Sequence, residues 1–159
     1  MTIIPTTDAD RRHLSQPFTM TVQNLLKARV PVGVPEAMRL VEQGDLNTAV
    51  KALGRGIRMQ ERSIRKVPLA ALHFVRGRCF DMKDETNHSS RQAVRDFTKC
   101  LELMKGAKAD SESAHQLVVD ALVSRGKAFG RMGDLEQGLR DFDEVASRCP
   151  GRAEPYLGA

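Results

Sequence analysis

Arg76-Gly77-Arg78-Cys79-Phe80 returns along the chain as Arg125-Gly126-Lys127-Ala128-Phe129. Each copy is followed by a second echo, Gln92-Ala93-Val94-Arg95-Asp96-Phe97 and then Gln137-Gly138-Leu139-Arg140-Asp141-Phe142. Two paired echoes in one order require a two-element unit that recurs, and recurrence on this scale constrains the architecture before any single residue is weighed. It favours a surface that holds something over a pocket that reacts.

The hydrophobic pattern says what the elements are. No window alternates with period two long enough for a strand, whereas helical spacing runs through most of the chain. Residues 1 to 17 are polar, contain two prolines and show no periodicity, which reads as a loosely docked arm. Val22, Leu25 and Leu26 then mark a short helix within 18–29, broken by Pro31 and Pro35. Pro35 suits the first turn of a helix running to about Gln43, and Gly44-Asp45 closes it and caps the next. That next helix places Val50, Leu53, Ile57, Ile64 and Val67 on one stripe, with a gap at Gln60, and ends before Pro68. Pro68 opens a helix through Met82, a polar loop covers 84–90, and a further helix covers about 90–105. Asp110 or Ser111 caps a helix ending at Gly133, and Asp134 caps a last one that stops at Cys149-Pro150. The expected fold class is all-α.

Composition narrows the function classes. The 159 residues suffice for one domain burying roughly two-thirds of its unfolded surface. Aromatics are only 4%, with no Trp and one Tyr, which argues against a stacking platform for single-stranded nucleic acid. The net charge of +5 permits an acidic partner without requiring one. Cys79, Cys100 and Cys149 fit neither a disulfide framework nor a zinc spacing and read as reduced, partly buried thiols. The opening residues lack the charged lead and apolar stretch of a signal peptide. Asp8 and Asp10 argue against a mitochondrial presequence, Arg11 and Arg12 for one, and cytoplasm is the default. No apolar stretch approaches the ~18 residues of a membrane span, so no membrane insertion is expected.

The echoes resemble the tetratricopeptide repeat, a helix-turn-helix unit of about 34 residues. In the third unit, about 119–152, Leu122, Gly126, Phe129, Gly133-Asp134, Gly138, Phe142, Val145 and Pro150 fall at the family's spacing. In the second, about 70–105, His73, Gly77, Phe80, Ala93, Phe97 and Cys100 match in order around a loop four residues longer. The first, about 33–63, is weaker: Ala37, Leu40, Gly44, Ala49, Leu53, Gly56 and Ile57. The resemblance implies an α-solenoid of antiparallel helix pairs forming a right-handed superhelix. Ala37 with Ala49, Gly77 with Ala93, and Gly126 with Gly138 would be small where two helices cross closely. Bulky partners such as Phe97 and Phe142 would fill the adjacent gaps. About six extra residues between the first two units and eleven between the next two predict longer helices near 59–66 and 111–118. The expected organisation is an arm with a short helix over 1–34, the repeats over 35–152, and a tail or unfinished unit over 153–159.

Chemistry is not legible in the sequence. His13, His73, His88 and His115 are scattered, with His73 at a packing position; His88 and Glu85 share a loop but make no metal site. Gly54-Arg55-Gly56 lacks the preceding strand and following Lys-Ser/Thr of a phosphate loop. No enzyme, cofactor or metal is expected. Binding fits better. By resemblance, the inner face of each unit's first helix lines a groove for peptides, which would be walled by Phe74, Arg78, Asp81, Val123, Lys127 and Arg131. Arg78 and Lys127 occupy equivalent places and form a basic track for a protein partner with an acidic or extended segment. The clamp by which some family members grip a terminal carboxylate is missing, since its positions hold Val34, Met38, Val75, Asp120 and Ser124. Separately, Lys51, Arg55, Arg58, Arg62 and Arg65 recur every three or four residues as a cationic ridge nearly five turns long. It could be a solvated face, a dock for an acidic protein surface, or a contact for the phosphates of RNA or DNA. The leading expectation is a non-catalytic interaction module, a scaffold or adaptor subunit. The alternative is a nucleic-acid-associated helical-repeat protein.

Overall fold

The structure, a computed structural model, describes residues 17–83, 87–107 and 111–149. The N-terminal arm before Pro17, the tail from Pro150 and Glu85 lie outside them. The described residues form seven helices and no strand, so the fold is all-α. They are α1 (Met20–Leu26), α2 (Val34–Glu42), α3 (Leu46–Gln60), α4 (Lys66–Lys83), α5 (Asn87–Lys105), α6 (Glu112–Arg131) and α7 (Leu135–Arg148). From α2 onward each helix packs on the next in the chain. No described helix is long and apolar enough to cross a membrane.

Two turns are built the same way. Gly44 and Gly133 take the left-handed conformation, at φ 81° and 83°, which glycine enters without a Cβ penalty. Behind them, the amides of Asp45 and Asp134 each reach back 2.9 Å, to the carbonyls of Leu40 and Phe129. The two aspartates then cap the following helices, accepting from the amides of Thr48 (3.2 Å) and Gln137 (3.3 Å). One residue pair thus stops one helix and starts another.

The echoed residues form one crossing, twice. Gly77 is buried against α5, and a Cβ there would stand 2.7 Å from Phe97 Cε1. Gly126 is buried against α7, where a Cβ would stand 2.9 Å from Phe142 Cε1. Residue 126 meets 142 while the 129–130 step meets Gly138, so α6 and α7 run antiparallel. Beside each glycine an arginine forks onto an aspartate of the paired helix. Arg76 reaches both carboxylate oxygens of Asp96 at 2.9 Å, and Arg125 reaches those of Asp141 at 2.8 and 2.6 Å. In the first unit Ala37 and Ala49 are fully buried, as the small-residue reading requires. The polarity of the ion pair there is reversed, Glu36 on α2 meeting Arg55 on α3 at 2.8 Å.

The main core joins α1 to the rest. Phe18, just before α1, and Val22 and Leu26, four apart on it, are 1%, 0% and 3% exposed. They share a cluster with Leu53, Leu72, Phe74, Phe97 and Leu117. Phe18 and α1 are therefore part of the packed body, and no packing boundary falls at residue 34. A smaller cluster of Val119, Leu122 and Val145 holds α6 to α7.

The expected helix over 45–67 is corrected. α3 stops at Gln60, where the apolar stripe has its gap, and 61–65 is a turn. Pro68 sits in the first turn of α4, where its ring would clash with the carbonyl four residues back in a longer helix, so α3 and α4 do not run on as one. Ile64, expected on the buried stripe, is 95% exposed. The extra residues near 59–66 lengthen no part of α3, whereas those near 111–118 do lengthen α6, whose cap is Ser111.

Candidate partner-binding face

Alternate helices α4 and α6 meet each other, and α1 lies across both. α1 is held at its start by Thr19, whose hydroxyl accepts from the Val22 amide at 3.2 Å, and by Gln23 Nε2, which donates to the Phe18 carbonyl at 2.8 Å. The two helices that the resemblance assigns to a peptide groove thus already carry a short helix of the same chain. A cavity of about 400 Å³ opens between α1 and Val34 and Met38 of α2.

Phe74 was expected on the groove wall and is not there. It is 1% exposed, and its ring packs against Phe97 with centroids 5.8 Å apart. A bulky ring three residues before the crossing glycine is claimed by the paired helix. Val123 is half-buried beside the Val119, Leu122 and Val145 cluster.

The charged residues of the expected groove do converge. Arg78 Nη1 donates to Ser124 Oγ at 3.4 Å, bridging α4 and α6. Arg131 pairs with Asp81 across the same two helices. Lys127, exposed, is close enough to Asp81 to favour its charged form, and Asp120, hydrogen-bonded by Gln116 Nε2 at 2.7 Å, similarly supports the charge on Arg78. Burial lowers the pKa of Arg78 and raises that of Asp81, each against an opposing charge that partly restores it. The expected basic track is therefore a partly neutralised network: three cations meet two carboxylates, and Lys127 and Arg131 are its exposed members.

The cationic ridge is shorter as a helix than expected. Lys51, Arg55 and Arg58 lie on α3, while Arg62 and Arg65 lie in the 61–65 turn because the helix has ended. All five are exposed, and Arg55 is held by Glu36.

Other candidates resolve into packing. His73 is 6% exposed and its Nδ1–H donates to Asp96 at 2.8 Å, adding a third cross-helix bond to that carboxylate. His88 belongs to α5 rather than to a loop. Gly54-Arg55-Gly56 lies inside α3. A Cβ at Gly56 would come 2.2 Å from the Val32 carbonyl, so this glycine admits the 31–33 loop. A cavity of about 460 Å³ between α5, α6 and α7 is bordered by Arg125 and Arg148, but these are bound to Asp141 and Glu144. Cys79 and Cys100 are buried free thiols with pKa pushed up to about 12 by burial. Among the described residues no three His, Cys, Asp or Glu side chains form a metal-holding group.

Arg76, Asp96, Arg125 and Asp141 escaped the sequence reading as paired residues. Their signal was present, since they are the polar letters of the echo, but only the small and bulky letters were given a mechanical reason. Compared with family models, with curated proteins and with solved structures, the chain matches none.

Proposed function

We propose that this chain is a tetratricopeptide-like helical-repeat module that binds a partner protein and performs no chemistry of its own, as a scaffold or adaptor subunit. The observation that carries this reading is the crossing made twice from echoed residues, Arg76-Gly77 against Asp96-Phe97 and Arg125-Gly126 against Asp141-Phe142. The matching Gly-Asp turns at 44–45 and 133–134 add the first unit to the series. Units repeated in this way juxtapose their first helices in one face, and α1 lying on α4 and α6 supports that face as a seat for a helical or extended segment.

With Phe74 withdrawn, the partner would engage the exposed charges Lys127 and Arg131, adding a carboxylate beside Asp81. Affinity isolation from the native cells, run in parallel with a Lys127→Glu/Arg131→Glu variant, tests the reading. A partner retained by the parent chain and lost by the variant is expected. Recovery of the parent chain only as a free monomer overturns it.

A second reading keeps nucleic acid as the partner, favoured by the exposure of Lys51, Arg55, Arg58, Arg62 and Arg65. It requires binding to RNA or DNA that weakens steeply with salt and collapses when Arg55, Arg58 and Arg62 become Glu.

A further inference from the structure

Of the seven large apolar side chains left in water among the described residues, four lie at or beside one cleft. Val30, Val32 and Met59 are 52%, 53% and 56% exposed, and all three line a single cleft of about 300 Å³. The cleft forms where the loop after α1 crosses the end of α3 and the start of α4. Its shape is fixed by glycines. Gly33, at φ 89°, and Gly56 bring the loop so close to α3 that a Cβ on either would strike a backbone carbonyl, of Ala52 at 2.4 Å or Val32 at 2.2 Å. The valines are thus presented by a tightly seated backbone. Ile64, the most exposed of the large apolar residues, lies between Ser63 and Arg65, which both line the cleft.

The rim is cationic. Arg29 and Arg65 line the cleft, and Arg62 and Lys66 flank it in the chain. None of Arg29, Arg62 and Arg65 forms an ion pair among the described residues, and Glu61 is the lone acid from 58 to 66. A contiguous apolar exposure marks an interaction site more reliably than scattered single residues do. Unneutralised cations around it fix the sign of what completes it. A phosphate backbone would satisfy the arginines yet leave the valines and Met59 in water, and the cleft offers no aromatic ring for a base.

We propose that this cleft is a docking site for an acidic segment of a partner protein, anchored by one or two large apolar side chains and steered by flanking carboxylates. The site is separate from the α4–α6 face and does not depend on it. The test is fluorescence anisotropy of the intact chain with a labelled peptide composed only of Glu and Leu. Binding should weaken on the order of tenfold or more in Met59→Glu and in Arg29→Glu/Arg65→Glu. Replacing the peptide's leucines by alanine should abolish it. Leu135→Glu, at an exposed apolar site on α7, should leave it unchanged. All four residues changed at the cleft and on α7 are at the surface, and thermal unfolding confirms that each variant is folded. Equal binding of the leucine-free peptide, or indifference to the cleft substitutions, overturns the proposal. So does a single-stranded RNA that displaces the peptide and loses affinity in the same variants, which would give the patch to nucleic acid.

Discussion

The residue that does most for each crossing is one that has no side chain. Gly126 faces Phe142 Cε1 and Cζ at 2.9 and 3.0 Å and the Gly138 carbonyl at 3.3 Å from where a Cβ would be. A methyl there must push the ring or the paired backbone away, and overpacking of this kind costs about 1–3 kcal/mol. Gly130, one turn later on the same helix, has nothing within 4 Å. There the same change relieves only backbone entropy and should stabilise by roughly 0.5–1 kcal/mol. Urea denaturation of Gly126→Ala and Gly130→Ala should therefore give shifts of opposite sign. Shifts of one sign would mean that the α6–α7 crossing is looser than described. The forks beside the glycines obey a different balance. Asp96 is buried and serves Arg76 and His73 together, whereas Asp141 serves Arg125 alone. Removing an acid leaves an arginine about one-quarter exposed without its partner. The loss approaches the 3–5 kcal/mol of a broken buried pair but is reduced by solvent at the rim. Asp96→Ala should cost about 3 kcal/mol and Asp141→Ala about 2, measured by the same denaturation. A larger loss at Asp141 would contradict the role given to His73.

At the scale of elements, the least conspicuous helix in the sequence proves structurally important. Val22, Leu25 and Leu26 announced a short helix, but seven residues of modest pattern gave no sign that Phe18, Val22 and Leu26 would pack into the core beside α4 and α6. Docking of this kind is decided by the shape of a surface assembled from distant segments, which local periodicity does not encode. The opposite holds at the turns: Gly44-Asp45 and Gly133-Asp134 were legible because a left-handed glycine followed by a capping aspartate is local chemistry. The end of α3 lies between these cases. Its stripe showed the gap at Gln60, yet Ile64 resumed the period by coincidence, and only the steric demand of Pro68 separates them. Among the site residues, Arg78, Asp81 and Arg131 lie together between α4 and α6, whereas Phe74 is packed in the core. Period alone does not tell a groove-facing ring from one that turns toward the paired helix. If α1 is integral, Phe18→Ala should destabilise the whole molecule by about 3–5 kcal/mol. Its α4 and α6 amides should lose hydrogen-exchange protection together. A loss confined to α1 amides would instead make α1 a detachable element.

Over the whole molecule, packing is unequal from one end to the other. α4 buries residues along nearly its full length, and the main cluster draws on every helix from α1 to α6. α7 contributes Val145 to the smaller cluster and leaves Leu135 and Leu139 66% and 54% exposed. Because α7 packs mainly on α6 alone, this end opens at lower free energy than the middle. The cysteines sample this gradient. Cys149 sits half-buried at the end of α7, while Cys79 and Cys100 lie on α4 and α5 inside the main core. A thiolate is the reactive form, and burial has raised both core thiols to about 12 from an ordinary 9.0. Alkylation near neutral pH should thus modify Cys149 within the native state and reach Cys79 and Cys100 only through opening of the main core. The same two groups fix the sign of an alkaline effect. Between pH 9 and 12 the unfolded chain loses protons that the folded chain keeps, so stability falls as pH rises through that window. Double replacement by alanine would remove this alkaline slope, although the cavities would lower stability at every pH. Mass spectrometry of a labelling time course decides the gradient. Modification of all three cysteines at one rate would show that the molecule opens as a single unit, with α7 as firmly held as α4.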